Sequence, residues 1–228
     1  SAGWHGLRFI QATFNDSLSN NIRSYCIIQH GHATGQASDS YGGGIYCDSS
    51  HFTISNSRVA ACSAAYGGGI YMHRHSHAAI TDNLLTANTA YAGGGICSAN
   101  SPFEVIQNEI SNNSTAYGGG IEAGLCDPSV IIGNQFHGNI ATTSGGGMRI
   151  TNMNPTISDN VISENSAGSG AGIVCGNGGS YIVNNEITGN ISHFVGGGIH
   201  CWNSSDPTIT GNLISGNIAE VNGGGGIY

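Results

Sequence analysis

Apolar and glycine positions recur along the chain with a period of about 25 residues. The tetrad Gly-Gly-Gly-apolar ends at Ile45, Ile70, Ile96, Ile121, Met148, Ile173, Ile199 and Ile227, in steps of 25, 26, 25, 27, 25, 26 and 28 residues, with Ala171 once replacing the central glycine. A second apolar station follows nine or ten residues later, at Ile54, Ile80, Val105, Ile131, Ile157, Ile182 and Ile209. A third lies five further on, at Val59, Leu85, Ile110, Phe136, Ile162, Ile187 and Ile214. No repeat offers ten consecutive residues of helical character, so the stations read as short strands. Three strands per repeat match one coil of a three-sided parallel solenoid, and a fixed period of this size is the signature of such folds. The expected architecture is all-β, with about eight coils stacked about 4.8 Å apart into a rod about 40 Å long.

Asparagine sharpens this register. Three residues after the second station stand Asn83, Asn108, Asn134, Asn160, Asn185 and Asn212, with Ser57 in the first full repeat. Three after the third station stand Asn88, Asn113, Asn139, Asn165, Asn190 and Asn217, with Cys62 in the first. Asn accepts left-handed backbone and, stacked coil upon coil, its amide can donate to the next Asn carbonyl. Two ladders therefore mark two corners, and the glycine run lies past the third. Residues 1–40 depart from the pattern and read as an opening coil carrying a loop, Gly31 to Tyr41, that could fold over one face. Residues 41–228 form the regular repeats, one domain with the opening coil. The final Gly226-Ile227-Tyr228 begins a new coil, so either further coils continue the stack or the edge pairs end to end with another copy. With Ser1 first and no basic-then-apolar leader, the chain reads as a mature or excised piece.

Composition narrows the function classes. Of 228 residues, 38 are glycine and 24 asparagine, only 8% are charged, and none is lysine. A helical protein with charged outer faces is excluded. The net charge of -8 argues against nucleic acid and anionic surfaces as partners. No stretch is long and apolar enough to insert in a membrane as a helix. A neutral or cationic partner remains.

The run from Phe136 to Met148, FHGNIATTSGGGM, resembles the paired F-x-x-N and G-G-A-[ILV] motifs of polymorphic outer-membrane protein passengers. More broadly, residues 41–228 are similar to the right-handed parallel β-helix repeats of secreted bacterial surface proteins. The opening Trp4-His5-Gly6-Leu7-Arg8-Phe9 and Tyr25-Cys26-Ile27-Ile28 look like the first coils of such proteins. The third Gly departs from the usual Ala. The resemblance implies a right-handed parallel β-helix and a secreted or cell-surface location. It names no activity, since this architecture hosts adhesins, stalks, lyases and hydrolases alike.

Candidate chemistry is sparse. His73, His75 and His77 alternate, and on one strand their rings would share a face that could hold a transition metal; the alternative is a solvated polar loop. Adventitious transition metal or Ca2+ is the only cofactor the residues suggest. Tyr41, Tyr66, Tyr91 and Tyr117 precede glycine runs in four successive coils and form either a platform for sugar rings or a packing ladder, with Trp202 a further aromatic for glycan contact. Cys47, Cys175 and Cys201 share one inward position, as buried thiols or with Cys175 and Cys201 in a disulfide. Asp82 and Asp159, like Glu109 and Glu186, share repeat positions three coils apart, about 14 Å, too far for paired glycosidase carboxylates. The arginines, Arg8, Arg23, Arg58, Arg74 and Arg149, fall at unrelated repeat positions. The mixed row Ser55, Thr81, Ile106, Ile132, Ser158, Val183, Thr210 argues against ice binding. Glycosylation motifs stand at Asn15, Asn112, Asn113, Asn190 and Asn203. The reading is a non-catalytic extracellular structural module, a stalk, adhesin repeat or filament subunit, whose partners are itself end to end or neutral glycans. The alternatives are a carbohydrate-active lyase or hydrolase and a passive glycan-binding module.

Overall fold

A computed structural model describes residues 4–11, 21–221 and 223–228. The three apolar stations become three parallel sheets of eight strands each. Sheet A comprises Leu7–Ile10, Ile45–Asp48, Ile70–His73, Ile96–Ala99, Ile121–Gly124, Met148–Thr151, Ile173–Gly176 and Ile199–Trp202. Sheet B carries the second station, in strands such as His51–Ser55 and Phe103–Ile106, and sheet C the third, in strands such as Arg58–Ala60 and Glu109–Ser111. Like residues pair with like: Ile45 with Ile70, Ile54 with Ile80, Val59 with Leu85. All of these are fully buried in one continuous core. Each such side chain contributes about 1.5–3 kcal/mol by leaving water.

Both asparagine ladders form. Asn83 Nδ2 donates to Asn108 Oδ1 at 3.0 Å, Asn108 to Asn134 at 3.0 Å, and so on to Asn212. The second runs from Asn88 to Asn217 with the same geometry. Each carboxamide also donates to a core-strand carbonyl, as Asn139 does to Ile110 at 2.8 Å. Every polar group at these two dry corners is thereby paired, which is what makes them tolerable inside. One expectation is corrected: the ladder asparagines are not the left-handed residues. The residue before each carries the positive φ, as Asp82 (55°), Gln107 (56°), Ala87 (55°) and Asn112 (55°) do. That kink turns the following side chain inward, where an amide ladder is needed. At the third corner the first glycine of each run takes the left-handed turn, Gly118 at φ 61° for example.

The three-sided cross-section also needs correction. A fourth sheet of five strands, Ser114–Tyr117, Ile140–Ser144, Ser166–Ser169, Ile191–Ser192 and Ile218–Ala219, lies between the second ladder and the glycines. Its inward residues are small, with Ala141 and Ala167 packing on Ala171, so a search for large apolar stations passes over it. The earlier coils show only isolated bridges there, such as Ser63 to Thr89. The opening coil joins the sheets through Leu7–Ile10, Asn21–Ser24 and Ile27–Gln29. Its loop, with a 3-10 turn over Ala37–Ser40, folds against sheet A, where Arg8 donates to Ser38 O at 2.7 Å. None of the helical segments described is long and apolar enough to cross a membrane.

Candidate functional site

The outer face of sheet A collects the chemistry. The residue after each first-station position points outward, and across the coils this row reads Arg8, Tyr46, Tyr71, Cys97, Glu122, Arg149, Val174, His200. Arg8 and Arg149 thus share a repeat position, contrary to the expectation of unrelated placement. Tyr46, Tyr71 and Cys97 are nonetheless buried, because a second row lies over them: Tyr41, Tyr66, Ala92 and Tyr117, bridged coil to coil. Tyr91 stands one residue before that row, so Ala92 occupies the tyrosine position and Tyr91 swings out.

The rings do not form a parallel stack. Tyr41 meets Tyr66 at 90° and 5.2 Å, Tyr66 meets Tyr91 at 76° and 6.2 Å, and Tyr91 meets Tyr117 at 71° and 5.6 Å. Edge-to-face contact of this kind is favourable for aromatic pairs. Tyr41 packs on Tyr71 and is partly buried, while Tyr66 and Tyr91 remain 37% and 56% exposed. The strip therefore combines ring packing at Tyr41 with exposed aromatic surface at Tyr66 and Tyr91. Burial, with neighbouring thiol and phenol groups adding to it, pushes the Tyr71 phenol upward.

At the centre, Arg149 Nη1 donates to Glu122 Oε1, and the guanidinium lies 5.2 Å over the Tyr117 ring. The two side chains are 21% and 15% exposed. Burial raises Glu122 to about 7, against the opposing pull of Arg149. Glu122 Oε2 has no hydrogen-bond partner among the described residues. Two pockets flank the pair. One, about 240 Å³, is lined by Tyr66, Tyr71, Ala92, Cys97, Glu122 and Thr151 among others. The other, about 270 Å³, is lined by Tyr117, Thr143, Arg149, Val174, His200 and Trp202 among others. Trp202, 38% exposed, thus joins the same face, five coils along from the Tyr71 strand and one beyond Gly176.

The family model of the right-handed β-helix region matches residues 43–214. The chain belongs to the right-handed β-helix family. No curated protein and no solved structure matches the chain.

Elsewhere on the β-helix, the histidine cluster does not converge. His73 ends a sheet A strand, Arg74 and His75 form a left-handed turn, and His77 opens a sheet B strand. The strand alternation that would align them is broken by that turn. Each ring finds a different neighbour: His73 lies by Tyr71, His75 by Asn100, and His77 stacks on His51 at 5.8 Å. Arg74 instead pairs with Asp48 at 3.0 Å. No group of three His, Cys, Asp or Glu side chains that could hold a metal ion occurs among the described residues.

Cys175 and Cys201 do pair in register, and both are free thiols. Burial pushes the Cys175 thiol up to about 12. The carboxylates are closer than like-for-like mapping suggests. Asp82 and Glu109 lie on adjacent coils and line one shallow trough of about 760 Å³ between sheets B and C, with Arg58 and Gln135. Leu84, two residues past Asp82, pairs with Glu109, which places the two acids on neighbouring coils at the same corner. Comparing only identical repeat positions missed this pair, as it missed Glu122. Among the glycosylation motifs, Asn113 and Asn190 are buried in the second ladder, Asn112 and Asn203 are exposed, and Asn15 lies outside the described residues.

Proposed function

We propose that this β-helix is a non-catalytic structural module of a secreted or cell-surface protein, with a strip on sheet A that binds neutral glycans. The observation that carries the reading is the tyrosine strip, in which exposed Tyr66 and Tyr91 are held edge-to-face between Tyr41 and Tyr117 beside an open pocket. Rings already fixed by their neighbours offer contact area at little further entropic cost. The charge of -8 favours a neutral partner over a polyanion. Near-constant coil length supplies a rigid rod on which such a strip keeps its spacing.

Retention on an array of neutral glycans tests the reading. Tyr91→Ala should abolish retention with the melting temperature within about 2 °C of the wild type, since Tyr91 is largely exposed. Unchanged retention, or a large loss of stability, would mark the rings as packing alone.

The trough lined by Asp82 and Glu109 from adjacent coils supports a second reading, a glycan hydrolase, because such an enzyme works with two carboxyl groups facing one groove. Release of reducing ends from neutral polysaccharides, lost in Asp82→Asn and Glu109→Gln, would favour it over the binding module.

A further inference from the structure

The aromatic rows along sheet A have a gap at a single coil. The outer row runs Tyr41, Tyr66, Ala92, Tyr117, and the row beneath it runs Tyr46, Tyr71, Cys97, Glu122. In the coil of Ala92 and Cys97, both positions that carry a phenol in the two coils before are reduced to small side chains. The space left is the 240 Å³ pocket, with Tyr66 and Tyr71 on one side and Glu122 and Thr151 on the other. It is smaller than the roughly 300–1,000 Å³ of pockets for drug-sized ligands, so it suits one ring rather than several.

We infer that this gap is a binding site for a single neutral hexopyranose unit, anchored by Glu122. The inference rests on the glycan-binding reading of the strip and names the position where one sugar is selected. The tyrosine walls receive the apolar C–H face of the ring. Glu122 Oε1 is held by Arg149, and Arg149 is itself fixed over Tyr117. Oε2 is buried and unpartnered among the described residues. The terminal torsion of a glutamate is soft, so a small rotation presents Oε2 to the pocket. Above pH 7, where Glu122 is ionised, a ligand hydroxyl that donates to it supplies the missing hydrogen bond, of the stronger charge-assisted kind. Arg149 already balances the Glu122 charge, so an ammonium group gains little, and an anion meets a carboxylate. A neutral polyol ring is the class that remains.

The test is a ligand-observed NMR titration of the full chain at pH 8, where Glu122 is ionised, with methyl β-glucopyranoside and methyl β-galactopyranoside, and with a quaternary ammonium glycoside as the cationic probe. Ala92→Tyr restores the tyrosine row and fills the gap, and should abolish binding of both neutral glycosides. Glu122→Gln keeps the shape and removes the charge, and should weaken binding about tenfold or more. If Ala92→Tyr does not fold, Glu122→Gln decides alone. Wild-type affinity in both folded variants overturns the site, as does tighter binding of the quaternary ammonium glycoside than of the neutral glycosides. A wild-type chain that binds no neutral mono- or oligosaccharide overturns the glycan strip as well. Retention of oligosaccharides that is lost in Tyr91→Ala but unchanged in Ala92→Tyr and Glu122→Gln overturns this site alone.

Discussion

Asn139→Ala removes one rung from the middle of the second asparagine ladder. Asn139 is fully buried and its side chain makes four hydrogen bonds. Its Nδ2 donates to Ile110 O at 2.8 Å and to Asn165 Oδ1 at 3.0 Å. Its Oδ1 accepts from Asn113 N at 3.1 Å and from Asn113 Nδ2 at 2.9 Å. At about 1 kcal/mol net per bond, the loss is about 4 kcal/mol, and the partners left dry and unpaired push it upward. For a chain of this size that corresponds to a melting temperature lower by roughly 8–16 °C. Guanidinium unfolding followed by far-ultraviolet circular dichroism measures it, with the exposed Thr142→Ala as control. The m-value should stay constant, because the surface exposed on unfolding is unchanged. A loss below about 1 kcal/mol would refute the reasoning, since it would mean that water or a small shift re-satisfies the corner.

Three further outcomes follow from the same geometry. Gly118→Ala should cost at least 1 kcal/mol more than Gly189→Ala in the same unfolding assay: both have positive φ, but a Cβ on Gly118 meets backbone oxygen of Ile121 at 2.4 Å, whereas nothing lies within 4 Å of one on Gly189. Glu122, raised by burial from 4.5 to about 7, keeps a proton in the folded chain that the unfolded chain releases, with Cys97 and Arg149 facing it from the neighbouring strands. Its stabilising contribution is therefore complete below about pH 4.5 and falls by up to about 3 kcal/mol as pH rises through 7, so Glu122→Gln should flatten the stability profile in that window, and an unaltered profile would contradict the assignment. His51 and His200, lowered by burial, act in the opposite sense as pH falls. In the native protein at pH 8, iodoacetamide should leave Cys97 and Cys175 unmodified, as mass spectrometry of the digested chain would read, because burial holds both thiols protonated.

The core of this fold was legible because its signal is repeated and large. Ile, Val, Leu and Phe at fixed spacing leave little choice of register, and Asn at two fixed offsets marks the corners where amides must pair. What escaped has the opposite character. The fourth sheet turns Ala141 and Ala167 inward, residues too small to mark a station. The left-handed positions before each ladder Asn are filled by Asp, Gln, Ala, Asn, Glu or Gly, with no common side chain to betray them. The placement of His73, His75 and His77 was not legible because the left-handed turn at Arg74 and His75 breaks the strand alternation that would have aligned them. The sheet A site was hidden for a different reason: Glu122, Arg149 and Ala92 matter through their neighbours one coil away, not through resemblance to their own repeat equivalents. Reading down the residue after each first station, from Tyr46 to His200, brings Glu122 beside Arg149 without any coordinates. The shift of Tyr91 is equally visible as Tyr-Ala-Gly-Gly-Gly where the coils of Tyr41, Tyr66 and Tyr117 have Tyr-Gly-Gly-Gly.

The most direct test of the sheet A strip is hydrogen-exchange mass spectrometry of the chain with and without a neutral oligosaccharide retained on the array. The account predicts slowed exchange in peptides covering residues 66–71, 91–97 and 117–122. Slowed exchange confined to residues 82–84, 107–109 and 133–135 would move the ligand to the trough between sheets B and C and contradict it.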